Sequence, residues 1–236
     1  MTNVPTIFRR EMNAYFLSPV AYVVIVVFLV VSGYFFQKAL FITSEASLRY
    51  SLAISQFILS VLTPVMTMRL IAEESKTGTI ETLMTAPVTD FEVVFGKFLA
   101  AWGLYSVMLA PTLIYVAFLS WVGNPDIGPI ISSYIGLVLM GAMFVSVGLL
   151  VSSLTRNQIV AAVIGIVSLM ILWVVGYYVA GGEGWIAESL KYIGTFGHWE
   201  TFTKGLIDTR DIVYYVSLTA LFVFITVRVV ESRKWR

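Results

Sequence analysis

The composition of this 236-residue chain excludes an ordinary soluble domain, because 58% of its residues are hydrophobic, 12% are charged and the mean hydropathy is +0.89. A formal net charge of +1 gives no basic surface for nucleic acid. The chain has no cysteine and a single histidine, His198, which excludes disulfides, thiolate sites and histidine-rich metal clusters. We therefore expect an integral membrane protein.

Residues 1–18 predict an interfacial helix that lies along the membrane surface. Apolar and charged or polar side chains alternate there: Phe8, Met12, Tyr15 and Phe16 against Arg9, Arg10, Glu11 and Asn13. Such a pattern directs basic residues towards lipid headgroups. The apolar run that follows is too long for a cleaved signal peptide, so we expect it to be the first span.

Six apolar runs reach the roughly 20 residues that a helix needs to cross a bilayer. They are residues 19–40, 50–72, 91–121, 131–154, 159–180 and 212–230. The third is longer than a crossing requires, which predicts a tilt or a bend near Pro111. No internal repeat or separate soluble domain is evident, so residues 1–236 are predicted to form one transmembrane domain.

Residues 77–87, between the second and third spans, predict a short amphipathic helix. Ile80, Leu83 and Met84 share one helical face, and Glu81 lies on the other side, in the first turn. A simple turn would need fewer residues and no such pattern. A helix of this kind at the membrane edge is a docking surface.

The two ends of this polar stretch carry helix signals. Gly78 or Thr79 can begin the short helix, and Pro87 ends it. Thr89 and Glu92 then have the spacing of a capping box, which predicts the start of the third span.

Residues 181–209 are too short for two crossings and predict an outer re-entrant hairpin or an outer-leaflet helix. Gly194 and Gly197 are expected to break the chain before His198, which is expected to be exposed. Either of two acidic residues, Asp208 or Asp211, can cap the last helix.

Polar and small residues within the spans have two interpretations each. Ser60, Thr63 and Thr67 in the second span either satisfy a helix kinked near Pro64, which is the simpler interpretation, or line a pathway. In the fifth span, aromatic side chains near the outer end anchor the helix at the interface or contact a substrate: Trp173, Tyr177 and Tyr178. Two small-residue spacings predict close helix packing: Gly148 with Ser152, and Ala161 with Gly165.

The sequence carries no motif for chemistry. The Gly96-Lys97 pair lacks the rest of a phosphate loop, and no metalloprotease or nucleophile motif is present. Ionisable residues are scarce deep in the spans, which argues against an intramembrane enzyme or an ion-coupled carrier. Taken alone, Glu73 and Glu74 are most simply interpreted as a charged helix end at the level of the lipid headgroups. Energy for transport must then come from another protein.

The stretch between the second and third spans resembles the signature of the ABC-2 type permease family. The matching residues are Glu73, Glu74, Gly78, Thr79, Glu81, Leu83 and Pro87. The resemblance continues through residues 152–157, Phe202, Gly205, residues 208–211 and residues 231–235, and is greatest to the gliding-motility-type subunits of that family.

The resemblance implies an all-α permease of an exporter of the type V kind, with the short helix acting as a coupling helix. It implies a second permease, as a copy or a homologue, and two copies of a separately encoded ATPase that binds the ATP and magnesium. This chain would hold no cofactor or metal and would not be an enzyme. The setting implied is the bacterial cytoplasmic membrane.

The resemblance also implies roles for residues. The ATPase would contact the coupling helix and its flanks through Glu73, Glu74, Gly78, Thr79, Ile80, Glu81, Leu83, Met84 and Pro87, and the interfacial helix through Arg9, Arg10 and Glu11. The path between the two permeases would be lined by the second and fifth spans, through Ser60, Thr63, Thr67, Ser168, Trp173 and Tyr177.

An alternative is a membrane subunit of an ATPase-driven machine that acts on a periplasmic or motility partner without moving a substrate. A gene for a large periplasmic-domain protein beside the ATPase gene would favour this alternative.

The lysine and arginine distribution predicts that both termini are cytoplasmic, since ten of the 15 basic residues then lie inside and five outside. Single cysteines placed at Ser189 and Ser232 of this cysteine-free chain should react with an impermeant reagent from the outside and the inside, respectively. Labelling in the reverse pattern would contradict this orientation.

Overall fold

A computed structural model of the chain describes residues 3–43, 47–78, 88–178 and 194–232, and every element in these ranges is helical. In chain order the helices are α1 (Val4–Leu17), α2 (Pro19–Thr43), α3 (Arg49–Thr67), α4 (Arg69–Thr77), α5 (Asp90–Leu109), a 3₁₀ turn (Ala110–Thr112), α6 (Leu113–Val122), α7 (Ile127–Leu154), α8 (Gln158–Tyr178), α9 (Thr195–Thr203) and α10 (Thr209–Ser232).

Six helical stretches are long and apolar enough to cross a membrane, as the sequence predicts. They are Pro19–Phe41, Arg49–Thr77, Asp90–Val122, Ile127–Leu154, Gln158–Val175 and Thr209–Ser232. In the third stretch, regular α-helix is interrupted by the 3₁₀ turn that contains Pro111. Proline lacks an N–H group and cannot complete the α-helical hydrogen bonds, which explains the interruption.

Helix α7 is the centre of the bundle: 72% of its most apolar window is buried, against 22% in α8 and in α10. Glycines along α7 let neighbouring side chains approach its backbone, because a Cβ atom would overlap Phe202 at Gly136 and Thr67 at Gly148. Gly165 of α8 lies against Pro64 in the same way. The predicted small-residue packing is confirmed, as expected where helices associate within lipid.

The second span is interrupted at Met68, between α3 and α4. The Ser152 hydroxyl of α7 accepts hydrogen bonds from the N–H groups of Ile71 and Ala72, both at 3.1 Å, and donates to the carbonyl oxygen of Met68 at 2.9 Å. One side chain of α7 therefore satisfies three backbone groups at the break, which fixes α4 against the centre of the bundle.

Two boundaries differ from the sequence-based expectation. Thr77 belongs to α4, and Gly78 ends that helix with a φ of +75°, a left-handed conformation that favours glycine. Gly197 does not break the chain but lies within α9, because the burial of Trp199 and Phe202 on that helix outweighs the cost of about 1 kcal/mol for a helical glycine. The remainder of the predicted coupling helix, residues 79–87, and residues 179–193 lie outside the described residues.

The Ser152→Ala variant should be less stable by about 1–3 kcal/mol, because it leaves buried backbone groups of α4 without a partner. Thermal unfolding of the purified protein in detergent would measure this. Ser146→Ala is the matched control, since the buried Ser146 hydroxyl bonds the carbonyl of Met143 in its own helix. Equal losses in the two variants would contradict the proposed role of Ser152.

Candidate functional site

Helix α1 packs along the first half of α5, on the end of the bundle that we call the N-terminal side. Ile7 of α1 is buried, and a Cβ atom at Gly96 of α5 would come within 2.8 Å of the Ile7 side chain. Phe8 and Met12 lie next to Gly103, two turns further along α5. These two glycines therefore let α1 pack closely against α5. Its position at the membrane interface stays a prediction.

Four charged side chains from three helices meet where α1 crosses α4 and α5, and we call them the ion cluster: Arg10, Glu11, Glu74 and Lys97. The Lys97 ammonium donates hydrogen bonds to Glu74 Oε1 at 2.7 Å and to Glu11 Oε1 at 3.0 Å. The Arg10 guanidinium donates to Glu11 at 2.6 Å and lies 3.4 Å from Glu74. The cluster joins α1, α4 and α5 directly.

Charge balance explains how Lys97 is tolerated with a side chain that is 1% exposed. A buried ammonium costs several kcal/mol unless carboxylates and hydrogen bonds compensate. Glu11 and Glu74 supply both, and Arg10 balances the second carboxylate from the solvent side, with 49% of its side chain exposed. Burial raises the pKa of Glu11, but the charge of Lys97 and the hydrogen bonds from Arg10 and Lys97 lower it more, so it lies below its ordinary value. Glu11 is therefore held as a carboxylate.

Both ends of α1 are attached as well. At its start, the side-chain amide of Asn3 lies 3.4 Å from Glu92, and Glu92 forms the predicted capping box with Thr89 at the head of α5. The capping-box prediction is thus confirmed.

At the end of α1, Tyr15 is buried and its hydroxyl donates to the carbonyl of Met66 at 3.1 Å. The Arg69 guanidinium donates to the carbonyl of Ala14 at 3.2 Å and covers the Tyr15 ring, 4.7 Å from its centroid. A cation beside the last carbonyls of a helix is favourable. Helix α1 is therefore held to α3 and α4 as well as to α5.

The ion cluster lies beside the two helices that lead into and out of residues 79–87. Glu74 is on α4, shortly before Gly78, and Lys97 is on the second turn of α5 after the capping box. A cleft of about 430 Å³ opens between α1 and α4 and is lined by Arg69 and Glu73 in addition to the cluster. A force applied to residues 79–87 would reach α1, α4 and α5 together.

The predicted ATPase-contact residues fall into three groups. Arg10, Glu11 and Glu74 meet in the ion cluster, while Arg9 and Glu73 are exposed beside it and Gly78 ends α4. The others lie outside the described residues: Thr79, Ile80, Glu81, Leu83, Met84 and Pro87. The Glu74 carboxylate binds Lys97, a contact that the simplest sequence interpretation, a charged helix end at the headgroups, does not include. The depth of Glu74 relative to the headgroups stays a prediction. Sequence reasoning missed Lys97, although an isolated lysine inside an apolar run is a signal for a buried ion pair.

The hydroxyls predicted along the second span are buried inside this subunit. Those of Ser60, Thr63 and Thr67 donate to carbonyls one turn earlier, at 2.7 Å to Phe57, 2.7 Å to Leu59 and 3.1 Å to Thr63. This arrangement agrees with the interpretation that they satisfy the backbone around Pro64.

The fifth span, α8, carries the other predicted pathway residues. The Ser168 hydroxyl donates to the carbonyl of Ile164 at 2.8 Å, and the rings of Trp173 and Phe57 meet edge to face with centroids 5.5 Å apart. The side chain of Tyr177 lies outside the described part of the chain. A pathway role for any of these residues stays a prediction.

The expectation that His198 is exposed is wrong. It is 6% exposed in α9, its Nδ1 lies 2.6 Å from Asp211 Oδ1 at the start of α10, and its ring stacks on Tyr214 with centroids 3.9 Å apart. Asp208, the other candidate cap, accepts a hydrogen bond from the N–H of Arg210. The His198–Asp211 contact joins α9 to α10 on the side of the bundle opposite the ion cluster.

Comparison with known families matches residues 11–220 to the model described as "ABC-2 family transporter protein". The matched range includes Glu11, Glu74 and Lys97 of the ion cluster. The gliding-motility subtype stays a prediction. No curated protein matches the chain.

Replacing Lys97 by Met should destabilise the attachment of α1 by about 3–5 kcal/mol, because two carboxylates lose their buried cation. Limited trypsin digestion after Arg9 or Arg10 in detergent-purified protein should accelerate accordingly. Adding Glu11→Gln and Glu74→Gln to Lys97→Met should restore most of the protection.

Lys204→Met is the control for that experiment, because Lys204 forms an exposed pair with Glu200 at 2.8 Å and such pairs contribute little. The same digestion rate in the Lys97→Met and Lys204→Met proteins would contradict the role assigned to the ion cluster.

Proposed function

The chain belongs to the ABC-2 family of transporter proteins, and on that premise we propose that it is the permease subunit of an exporter driven by a separately encoded ATPase. Membership in the family makes it a membrane subunit of an ABC transporter, which works with an ABC ATPase. The ATPase docks on the N-terminal side, which the basic-residue distribution predicts to be cytoplasmic. The ATPase holds the ATP and the magnesium, and this chain supplies the passage through the membrane.

The observation that carries the proposal is the ion cluster. Lys97 binds Glu74 and Glu11, so the helices on either side of residues 79–87 are bonded both to each other and to α1. A surface helix that receives a mechanical input needs rigid supports on both sides, because an unsupported segment would absorb the movement locally. The cluster provides such supports.

The path of the movement follows from the packing. Helix α4 continues into α3 through the break at Met68, where Ser152 of α7 bonds the backbone of α4. Interlocked helices move as bodies that tilt or slide. Closure of the ATPases would then tilt the second span together with the helices that interlock with it, and this movement would open the passage between the two permeases.

The complete transporter has two permeases and two ATPases, with the second permease a copy of this chain or a homologue. The passage runs between the two permeases along the second and fifth spans, where Ser168 and Trp173 lie near the surface of this subunit. Ser60, Thr63 and Thr67 are buried within this subunit, so we place them behind the residues that line the passage.

The Leu83→Asp variant should insert and fold normally but lose transport-linked ATPase activity, because residues 79–87 would no longer present an apolar side chain to a cleft of the ATPase. Burying one leucine contributes roughly 1.5–3 kcal/mol, which changes the occupancy of a partner by about tenfold or more. Assembly and ATPase activity of the intact complex are measured together with expression. The Gly78→Pro variant should also lose transport-linked ATPase activity, because proline cannot adopt the φ of +75° that ends α4.

Leu206→Asp is the control, since Leu206 is 60% exposed in the loop before α10, on the opposite side of the bundle. Normal coupling in well-expressed Leu83→Asp protein would refute the docking role. Failure of that variant to fold would instead show that Leu83 packs against the permease itself.

A further inference from the structure

We propose that a groove between α5 and α10 binds the acyl chains of one phosphatidylethanolamine molecule from the membrane leaflet on the N-terminal side. The groove has a volume of about 920 Å³. Its walls are formed by α5 and α10, and its floor by Leu139 and Ala142 of α7. The proposal does not depend on the docking of the ATPase.

The α5 wall is a continuous aromatic stack of Phe91, Phe95, Phe98 and Trp102. Successive ring centroids are 5.4, 6.0 and 6.3 Å apart, with interplanar angles of 10°, 25° and 10°. Because the rings are nearly parallel, they form a flat strip along the helix. The facing wall of α10 is built from smaller side chains: Val216, Thr219, Ala220, Val223 and Val227.

The polar side chains that line the inner part of the groove use their hydrogen-bond donors within the protein. Trp102 Nε1 donates to the carbonyl of Val138, and the Thr219 hydroxyl donates to the carbonyl of Tyr215. The Tyr215 hydroxyl donates to the carbonyl of Thr195. A polar occupant would lose its own hydrogen bonds on entry, so the groove selects hydrocarbon.

The dimensions fit acyl chains of one leaflet. Phe91 and Trp102 are 11 residues apart, which is about 17 Å along a helix and close to the roughly 15 Å of hydrocarbon in half a bilayer. Dividing the volume by this length gives an average cross-section of about 55 Å². The length and the apolar lining of the groove therefore match the acyl chains of one lipid in that leaflet.

Charged residues at the open end complement a zwitterionic headgroup. Arg228 is 63% exposed, lies 5.1 Å from the Phe224 ring centroid and bonds Glu231 at 2.8 Å. A guanidinium has five N–H donors, so Arg228 can bind a lipid phosphate in addition to Glu231. Glu231, with Asp90 at the head of α5, then faces the lipid ammonium. An ethanolamine headgroup supplies both charges at that depth.

The test uses the full-length protein in nanodiscs of phosphatidylethanolamine with a minority of phosphatidylglycerol. The probe is a phosphatidylethanolamine that carries a diazirine in one acyl chain, and cross-linked peptides are mapped by mass spectrometry. We expect the label on α5 between Phe91 and Trp102 and on α10 between Val216 and Val227.

Filling the groove should remove this label. Ala220 is exposed and lines the groove, so Ala220→Phe should reduce the yield roughly tenfold, as expected when several methylene groups lose apolar contact. Leu221→Phe is the matched control, since Leu221 is 49% exposed but does not line the groove. Ala220→Leu is a milder second variant should the phenylalanine disturb folding, which thermal unfolding monitors.

The headgroup contact is tested separately by Arg228→Gln, which should lower the number of phosphatidylethanolamine molecules retained in native mass spectrometry. Undiminished labelling in folded Ala220→Phe and Ala220→Leu proteins would overturn the proposal. Cross-links to a second polypeptide from a photo-reactive amino acid placed at Ala220 would also overturn it, because they would show that a protein covers the groove. Unchanged retention in Arg228→Gln would overturn the assignment of the headgroup.

Discussion

The burial of one ammonium group, that of Lys97, sets the arrangement of the whole N-terminal side. An ammonium that is 1% exposed must be matched by carboxylates at hydrogen-bond distance. Glu11 and Glu74 come from two different helices, so Lys97 is satisfied only when α1, α4 and α5 adopt one mutual position. Two further contacts are compatible with that position and stabilise it: Ile7 packs closely against Gly96, and Asn3 bonds Glu92.

Polar side chains and glycines extend this constraint into the membrane. Ser152 carries the position of α4 to the central helix α7, and the contacts of Thr67 with Gly148 and of Pro64 with Gly165 hold α3 between α7 and α8. Because close backbone approach leaves little room for independent sliding, these helices respond to a displacement as a unit. The mechanical role proposed for the ion cluster depends on this stiffness.

The opposite property, incomplete burial, distinguishes α2, α8 and α10. Only 22–28% of their most apolar windows is buried within the subunit, so lipid or other subunits must cover the remainder. The groove beside α10 lies on this surface, and its open end includes Thr89 and Asp90 of the capped head of α5. A lipid bound there would touch the helix turn that Glu92 joins to Asn3.

The sequence by itself determined the features that depend on near neighbours in the chain: the six apolar runs, the interruption at Pro111, the capping box of Thr89 and Glu92, and the small-residue positions at Gly148 and Ser152. Periodicity, proline geometry and cap spacing act within a few residues, which is why these predictions succeed. The tertiary structure alone decided the ion pairs of Lys97 and the hydrogen bond between His198 and Asp211. Lys97 meets carboxylates 86 and 23 residues away, and His198 meets Asp211 across a helix junction. Which carboxylate pairs with a buried cation is set by the helices that pack around it, so even the local signal of an isolated lysine in an apolar run does not identify its partners.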